Sequence, residues 1–176
     1  MEVRPPDLQE KTAEFLRQRS GHIEAGRQFV SLDETSFGRH GRPVMGYARR
    51  GVPLYVKRRN CARITTKSAL VCVSSDGLNM VKAIKDGAYN TTSFIQALQT
   101  FDIPKDSVVL LDNVSFHHSK RVKQFAETNG FYLIYVPPYS PWFNPVEGVF
   151  SVVKRHFYKH GVPVAALTSV TNGVWK

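Results

Sequence analysis

Two carboxylates stand where a folding chain least tolerates a charge. Asp33 follows the apolar, β-prone run Phe29-Val-Ser-Leu32, and Asp112 follows Val108-Val-Leu-Leu111. A carboxylate at the edge of a core is costly unless it is paired or holds a cation. Adjacent buried strands would bring both acids to one rim of a sheet, and hard oxygen donors facing each other suit Mg²⁺ or Mn²⁺. A third acid, Glu147, lies in Asn144-Pro-Val-Glu147, which reads as a helix start with Asn as cap and Pro at the first helical position. On the residues alone, Glu147 reads as a capping acid, worth about 0.5–2 kcal/mol. Glu34 follows Asp33 directly. Strand alternation sends it to the opposite face, where it reads as a structural or surface residue.

The elements that must carry these acids can be traced along the chain. Pro5–Arg19 reads as a polar helix with Leu8, Thr12, Phe15 and Leu16 at helical spacing. A strand over Gln28–Asp33 ends in the first acid. Gly38, Gly41, Pro43, Gly46, Gly51 and Pro53 then break the chain into turns and short extended pieces, among them Tyr47–Arg50 and Leu54–Val56. Ser68–Ser74 is a strand, Asp76-Gly77 a hairpin turn, and Met80–Ile84 the returning strand. A helix over Asn90–Phe101 presents Phe94, Ile95, Leu98 and Phe101. Val108–Asp112 is a buried strand that ends in the second acid. Ser119–Thr128 is a helix stopped by Asn129-Gly130, Phe131–Val136 a strand, and the last helix runs from Asn144 to about Lys159. Antiparallel strands followed by helix, strand, helix, strand, helix imply an α/β fold with a mixed central sheet flanked by helices. Acids at carboxyl ends of strands lie where open sheets place their sites.

Composition narrows the partner. The chain has 176 residues, 42% of them hydrophobic, enough for one domain with a real core and too many for a disordered chain. No apolar run approaches 18 residues, so no membrane is expected. Cys61 and Cys72 lack metal-site spacing and fit buried thiols in a reducing interior. The net charge is +10, and no Asp or Glu occurs between Thr35 and Ser75, a window that holds Arg39, Arg42, Arg49, Arg50, Lys57, Arg58, Arg59, Arg63 and Lys67. Nine cations without counter-charges favour a phosphate-binding surface and a nucleic-acid partner.

The strings around the acids are more specific than the acids themselves. Leu111-Asp-Asn-Val-Ser-Phe-His117 and Pro137-Pro-Tyr-Ser-Pro-Trp-Phe-Asn-Pro-Val-Glu147 together resemble the mariner superfamily of transposases and its bacterial insertion-sequence relatives. Their pattern is Asp-Asn-x-x-x-His, then Pro-Pro-Tyr-Ser-Pro-x-x-Asn-Pro-x-Glu. Asp112 and Glu147 are 147 − 112 = 35 positions apart, a spacing characteristic of that superfamily. Leu32-Asp-Glu-Thr35 and Gly46-Tyr-Ala-Arg-Arg-Gly51 look like its first-acid segment. The resemblance covers roughly residues 29–158.

The resemblance implies a ribonuclease-H-like fold over residues 28–160, preceded by a helical arm or linker over 1–27 and followed by a tail over 161–176. It implies that Asp33, Asp112 and Glu147 hold two Mg²⁺ or Mn²⁺ ions. The chain would then hydrolyse phosphodiester bonds at transposon ends and join the 3′-hydroxyl to target DNA. Asn113 would tether the loop beside Asp112 or the metal shell, and His117 would either orient a phosphate or a ligand carboxylate or make an ordinary core or surface hydrogen bond. Trp142-Phe143 departs from the pattern, since relatives more often carry an acid and then Leu there. Trp142 reads either as a base-stacking residue or as a lid over the last helix. Relatives carry an N-terminal helix-turn-helix region that recognises transposon ends, and it is expected to be absent from this chain. The implied setting is a homodimer on DNA inside the cell, in the cytoplasm of a prokaryote or the nucleus of a eukaryote. The alternatives are an inactive, domesticated DNA-binding remnant and another nuclease of the same fold. A phosphotransferase with an aspartyl nucleophile would need an acid where Thr35 stands.

Overall fold

The computed structural model describes residues 7–37, 49–52, 66–75 and 79–160. Its five strands are β1 (Phe29–Phe37), β2 (Lys67–Ser74), β3 (Asn79–Asp86), β4 (Val108–Leu111) and β5 (Tyr132–Tyr135), in the sheet order β3-β2-β1-β4-β5. β1, β2 and β3 pair antiparallel, whereas β4 and β5 run parallel to β1, so the sheet is mixed as expected. The helices are α1 (Leu8–Glu24), α2 (Thr91–Leu98), α3 (Lys120–Asn129) and α4 (Val146–His160). Among the described residues, no helix is long and apolar enough to cross a membrane.

Strand alternation divides the core into two layers. Val30, Leu32, Leu70, Cys72, Val109 and Leu111 pack with Phe94, Ala97 and Leu98 of α2 and Val122 and Ala126 of α3. On the other face, Phe37, Ala69 and Val71 meet Val146, Val149, Phe150 and Val153 of α4, a one-sided helical spacing. Val108, Leu110, Ile134 and Val136 meet Phe15 of α1. Each Val, Leu, Ile or Phe among these, taken from water to full burial, contributes about 1.5–3 kcal/mol, so both helical layers are fastened to the sheet.

The helix boundaries follow from their end residues. Asn90 caps α2 in a reciprocal box with Ser93. Ser119 caps α3, and Gly130 closes it at φ 75°, a left-handed position that Gly occupies without steric cost. α1 starts and ends later than expected and buries only Phe15 along its length.

The main departure concerns β1. The strand does not end at Asp33 but continues to Phe37, because β2 pairs with it along that whole length, Asp33 opposite Val71 and Phe37 opposite Lys67. β4 stops at Leu111, so beyond Leu32 the parallel side of β1 has no ladder partner among the described residues. The rim therefore arises where β4 peels away, not where β1 ends. Of the expected short extended pieces, Tyr47, Ala48 and Leu54–Val56 lie outside the described residues. Arg49–Val52 is a turn, closed by the Val52 N–H donating to the Arg49 carbonyl at 2.9 Å. The tail from 161 onward also lies outside the described residues.

Candidate active site

The β1–β4 register brings the first two acids together. Phe29 pairs with Val108 and Ser31 with Leu110, an offset of 79, which carried two residues further sets Asp33 beside Asp112. Asp33 lies on the α1/α4 face of the sheet, between Ser31 and Thr35, all three buried. Its carboxyl is pushed up to about 7. Burial is the main cause, and the charges of Asp112, Glu34 and Glu147 add to it. Three further carboxylates are thus close enough to disfavour ionisation of this one.

Asp33 is held by the start of α4. Asn144 Nδ2 donates to Asp33 Oδ2 at 3.1 Å, and Ser31 Oγ donates to Asn144 Oδ1. The Glu34 backbone N–H donates to Asp33 Oδ1 at 2.7 Å. Asn144 was expected as a helix cap. Its side chain is instead committed to β1, and its backbone carbonyl serves the helix by accepting from Glu147 N–H at 3.2 Å. Ser31 and Asn144 are both buried, so this bond pattern fixes the amide orientation and ties α4 to the strand that bears Asp33.

Asp112 is held from the other layer. It lies one residue past the end of β4 and leads into a 3₁₀ turn, Ser115–His118, that returns His117 to the site. The His117 ring is 0% exposed, with Nδ1 at 2.7 Å from Asp112 Oδ1 and Nε2 at 3.2 Å from Glu34 Oε1. Burial disfavours its charge, but the two carboxylates outweigh burial and push the imidazole up to about 9. At neutral pH both ring nitrogens therefore donate. The Val114 N–H also reaches Asp112 Oδ1, at 3.3 Å.

The other expected residues divide. Glu147 stands in the first turn of α4 with an exposed side chain, on the helix that packs over Asp33. Among the described residues no three Asp, Glu, His or Cys side chains already stand as the ligands of one ion. The donor set nonetheless fits a hard divalent cation in kind: carboxylate oxygen donors, one of them with its ionisation disfavoured by burial and by its like-charged neighbours. Asn113 ties the loop beside Asp112 to His118 and does not touch the Asp112 side chain. It is exposed and lies against His118, Oδ1 to Nε2 at 2.5 Å, with the His118 ring stacked on Tyr135 at 4.0 Å. Trp142 is 69% exposed, and it is Phe143 that packs inward, 5.1 Å from the ring of Phe15.

Of the basic window, Arg39, Arg42, Lys57, Arg58, Arg59 and Arg63 lie outside the described residues. Arg49 and Arg50 are exposed. Lys67 is paired with Asp86 of β3 at 2.5 Å, a counter-charge from beyond the acid-free window.

Ser31 and Asn144 are contacts of Asp33 that sequence reading missed or misassigned, whereas Glu34 lies on the face opposite Asp33 as alternation predicts, and only its contact with His117 was not foreseen. Glu34 did leave a signal. It occupies the same face as Val30 and Leu32, an apolar stripe in which a carboxylate needs a partner.

The mixed sheet with helices on both faces is similar in fold to solved transposase structures. The fold matches the Mos1 transposase paired-end complex with left transposon end at TM-score 0.59 and 18% identity, over 89% of this chain and 50% of that one. It matches the Mos1 mariner paired-end complex with Mn at TM-score 0.61 and 17% identity, over 89% and 50%. The catalytic domain of Mos1 mariner transposase matches at TM-score 0.57 and 15% identity, over 91% and 75%. The chain thus spans about half the length of the transposase chains in the two complexes. No curated protein matches it by sequence. A family model, DDE superfamily endonuclease, matches residues 28–164, and the chain belongs to that family.

Proposed function

We propose that this chain is the catalytic domain of a transposase that hydrolyses phosphodiester bonds at transposon ends and joins the resulting 3′-hydroxyl to target DNA. The observation that carries the reading is the β1–β4 register, which sets the buried Asp33 beside Asp112 where β4 peels away, with the charge of Glu147 acting on the same carboxyl. Such a cluster is poorly stable by itself and is relieved by divalent cations. Asp33, Asp112 and Glu147 would hold two Mg²⁺ or Mn²⁺ ions. When bound, the ions supply activation of the attacking oxygen and stabilisation of the leaving oxygen in an in-line displacement.

The chain's own residues do the rest. Asn144 and the Glu34 N–H orient Asp33, His117 orients Asp112, and α4 carries Glu147 near enough for its charge to act on Asp33. Arg49, Arg50 and the other cations of the 39–67 window would bind phosphates, and exposed Trp142 would stack on a base near the cut. Transposon ends and target DNA are the partners in this reading, with two copies of the chain acting together inside whichever compartment holds the DNA.

The test is metal-dependent cleavage of DNA carrying the transposon ends, by this chain joined to an end-recognition region. Cleavage that needs Mg²⁺ or Mn²⁺ and vanishes in Asp112→Asn, with DNA affinity kept, supports the reading. DNA binding without cleavage by the parent, in either metal, leaves a domesticated DNA-binding remnant instead.

A further inference from the structure

We propose that Glu34 is a positioning residue for the metal site. Acting through the His117 ring, it fixes the orientation of the Asp112 carboxylate. This rests on the reading of Asp112 as a metal ligand and adds a residue to it. Glu34 cannot join Asp33 as a ligand from its own strand, because alternation turns it to the α2/α3 face, opposite Leu70. On that face its partner is His117, with Oε1 at 3.2 Å from Nε2.

The ring between the two carboxylates has little room to turn. Its centroid is 4.5 Å from that of Phe94 and 4.3 Å from that of Phe116, and the Tyr135 hydroxyl donates to the His117 carbonyl at 3.0 Å. Its remaining freedom is rotation within that slot, and the Glu34 carboxylate at Nε2 sets that angle. The angle in turn decides whether Nδ1 meets Asp112 Oδ1 at 2.7 Å.

Asp112 depends on this brace. It lies one residue past the end of β4, so no ladder bond fixes it, and its side chain is 35% exposed. Among the described residues its carboxylate is held only through Oδ1, by His117 and the Val114 N–H, which leaves Oδ2 for a cation. β1 thus serves both acids: Asp33 belongs to it, and Asp112 is anchored to it through Glu34 and His117. Carboxylate ligands braced by hydrogen bonds typically lose about 10–100-fold in metal affinity when the brace is removed.

The experiment is Mn²⁺ affinity of the whole chain without DNA, read from the electron paramagnetic resonance of free Mn²⁺, with melting temperature alongside. Glu34→Ala is expected to weaken Mn²⁺ binding by about tenfold or more. Glu34→Gln, whose amide oxygen still accepts from Nε2, should recover most of that loss. If Glu34→Ala does not fold, Glu34→Asp decides: it keeps the charge, falls short of His117, and should still bind Mn²⁺ several-fold more weakly than the parent. Parent-like affinity in Glu34→Ala or Glu34→Asp, with binding lost in Asp112→Asn, overturns the proposal and spares the metal site. Equal loss in Glu34→Gln and Glu34→Ala also overturns it, since that pattern reports charge and not orientation. A parent chain that binds no Mn²⁺ overturns the site reading and this inference together.

Discussion

Asp33 and Asp112 are neighbours across one pair of parallel strands, yet they are secured from opposite sides of the sheet. Asp33 is buried on the α1/α4 face and gripped by Asn144 from the start of α4. Asp112 is a third exposed and gripped by His117, which packs among α2-side aromatics and leans on Glu34. The first acid is surrounded by neutral donors and like charges, the second by a cation. A site assembled this way needs both helical layers in place before its carboxylates face one another. The layers can then fail separately, and substitutions can tell them apart.

The largest effect is on chemistry and is shared. Asp33→Asn and Asp112→Asn should each reduce metal-dependent cleavage to background, since each removes a ligand charge. Stability should split them. Asp33→Asn relieves a buried acid of its like-charged neighbours and should raise the melting temperature of the metal-free chain at neutral pH and above. Asp112→Asn deprives the buried His117 imidazolium of one of its two carboxylates and should lower it. If both variants shift stability in the same direction, the two acids do not differ in surroundings as described.

The next effect is a pair of pH slopes in metal-free stability. The Asp33 carboxyl is raised from 3.8 to about 7, so its proton is bound more tightly in the folded chain. The stability this contributes is fully present below pH 3.8 and is lost as pH rises through about 7, at most about 4 kcal/mol at about 1.4 kcal/mol per unit. His117 is raised from 6.5 to about 9. Its contribution is fully present below pH 6.5 and is lost as pH rises through about 9, at most about 3 kcal/mol. Melting temperatures across pH 4–10 should show both declines. Asp33→Asn should flatten the lower window and His117→Gln the upper. A single decline in the parent, or one variant that flattens both, would show one coupled cluster instead of two separately held acids.

Much of this arrangement could be read from residue order, and the exceptions have physical causes. Asp33 and Asp112, flagged by Val-Ser-Leu-Asp and Val-Leu-Leu-Asp, are close enough for their charges to interact, and Gly130 closes α3 where Asn-Gly signals its end. The continuation of β1 through Glu34-Thr-Ser-Phe37 was missed because its polar residues look like a loop until β2 is laid against them. Asn144 was misassigned because a capping Asn and a bridging Asn look alike in one sequence. Only the packing of α4 on β1, 111 positions away, selects the bridge. Glu34 and His117 are 83 positions apart, and no local period links them.

Asn144 gives an intermediate effect and tests the α1/α4 side alone. Asn144→Ala leaves the Ser31 hydroxyl and one Asp33 oxygen buried without their amide partner. The expected cost is about 1–3 kcal/mol of stability, with the Asp33 window of the pH profile moved to higher pH. The His117 window should not move, since its partners lie on the other face. Movement of both windows would mean that the faces communicate through the sheet and are not secured independently.

The smallest effects come from the loop between β5 and α4, where two adjacent aromatics repeat the contrast between a packed and an open position. Phe143 is half-buried against Phe15 of α1, whereas Trp142 is 69% exposed, with its ring centroid 6.1 Å from that of Phe143. Phe143→Ala removes an apolar contact that seats α1 beside the loop and should cost about 1–3 kcal/mol, less than a fully buried Phe. Trp142→Ala removes little packing and should change stability by no more than about 0.5 kcal/mol. If its ring stacks on a base, DNA affinity should fall by about 1–3 kcal/mol, or roughly 5- to 150-fold, in the same preparation. Thermal melting and fluorescence-anisotropy titration on both variants separate the roles. A Trp142→Ala variant that melts as early as Phe143→Ala would make Trp142 a packing residue. A stable one with undiminished DNA affinity would leave the departure at this position as a surface substitution outside the DNA path.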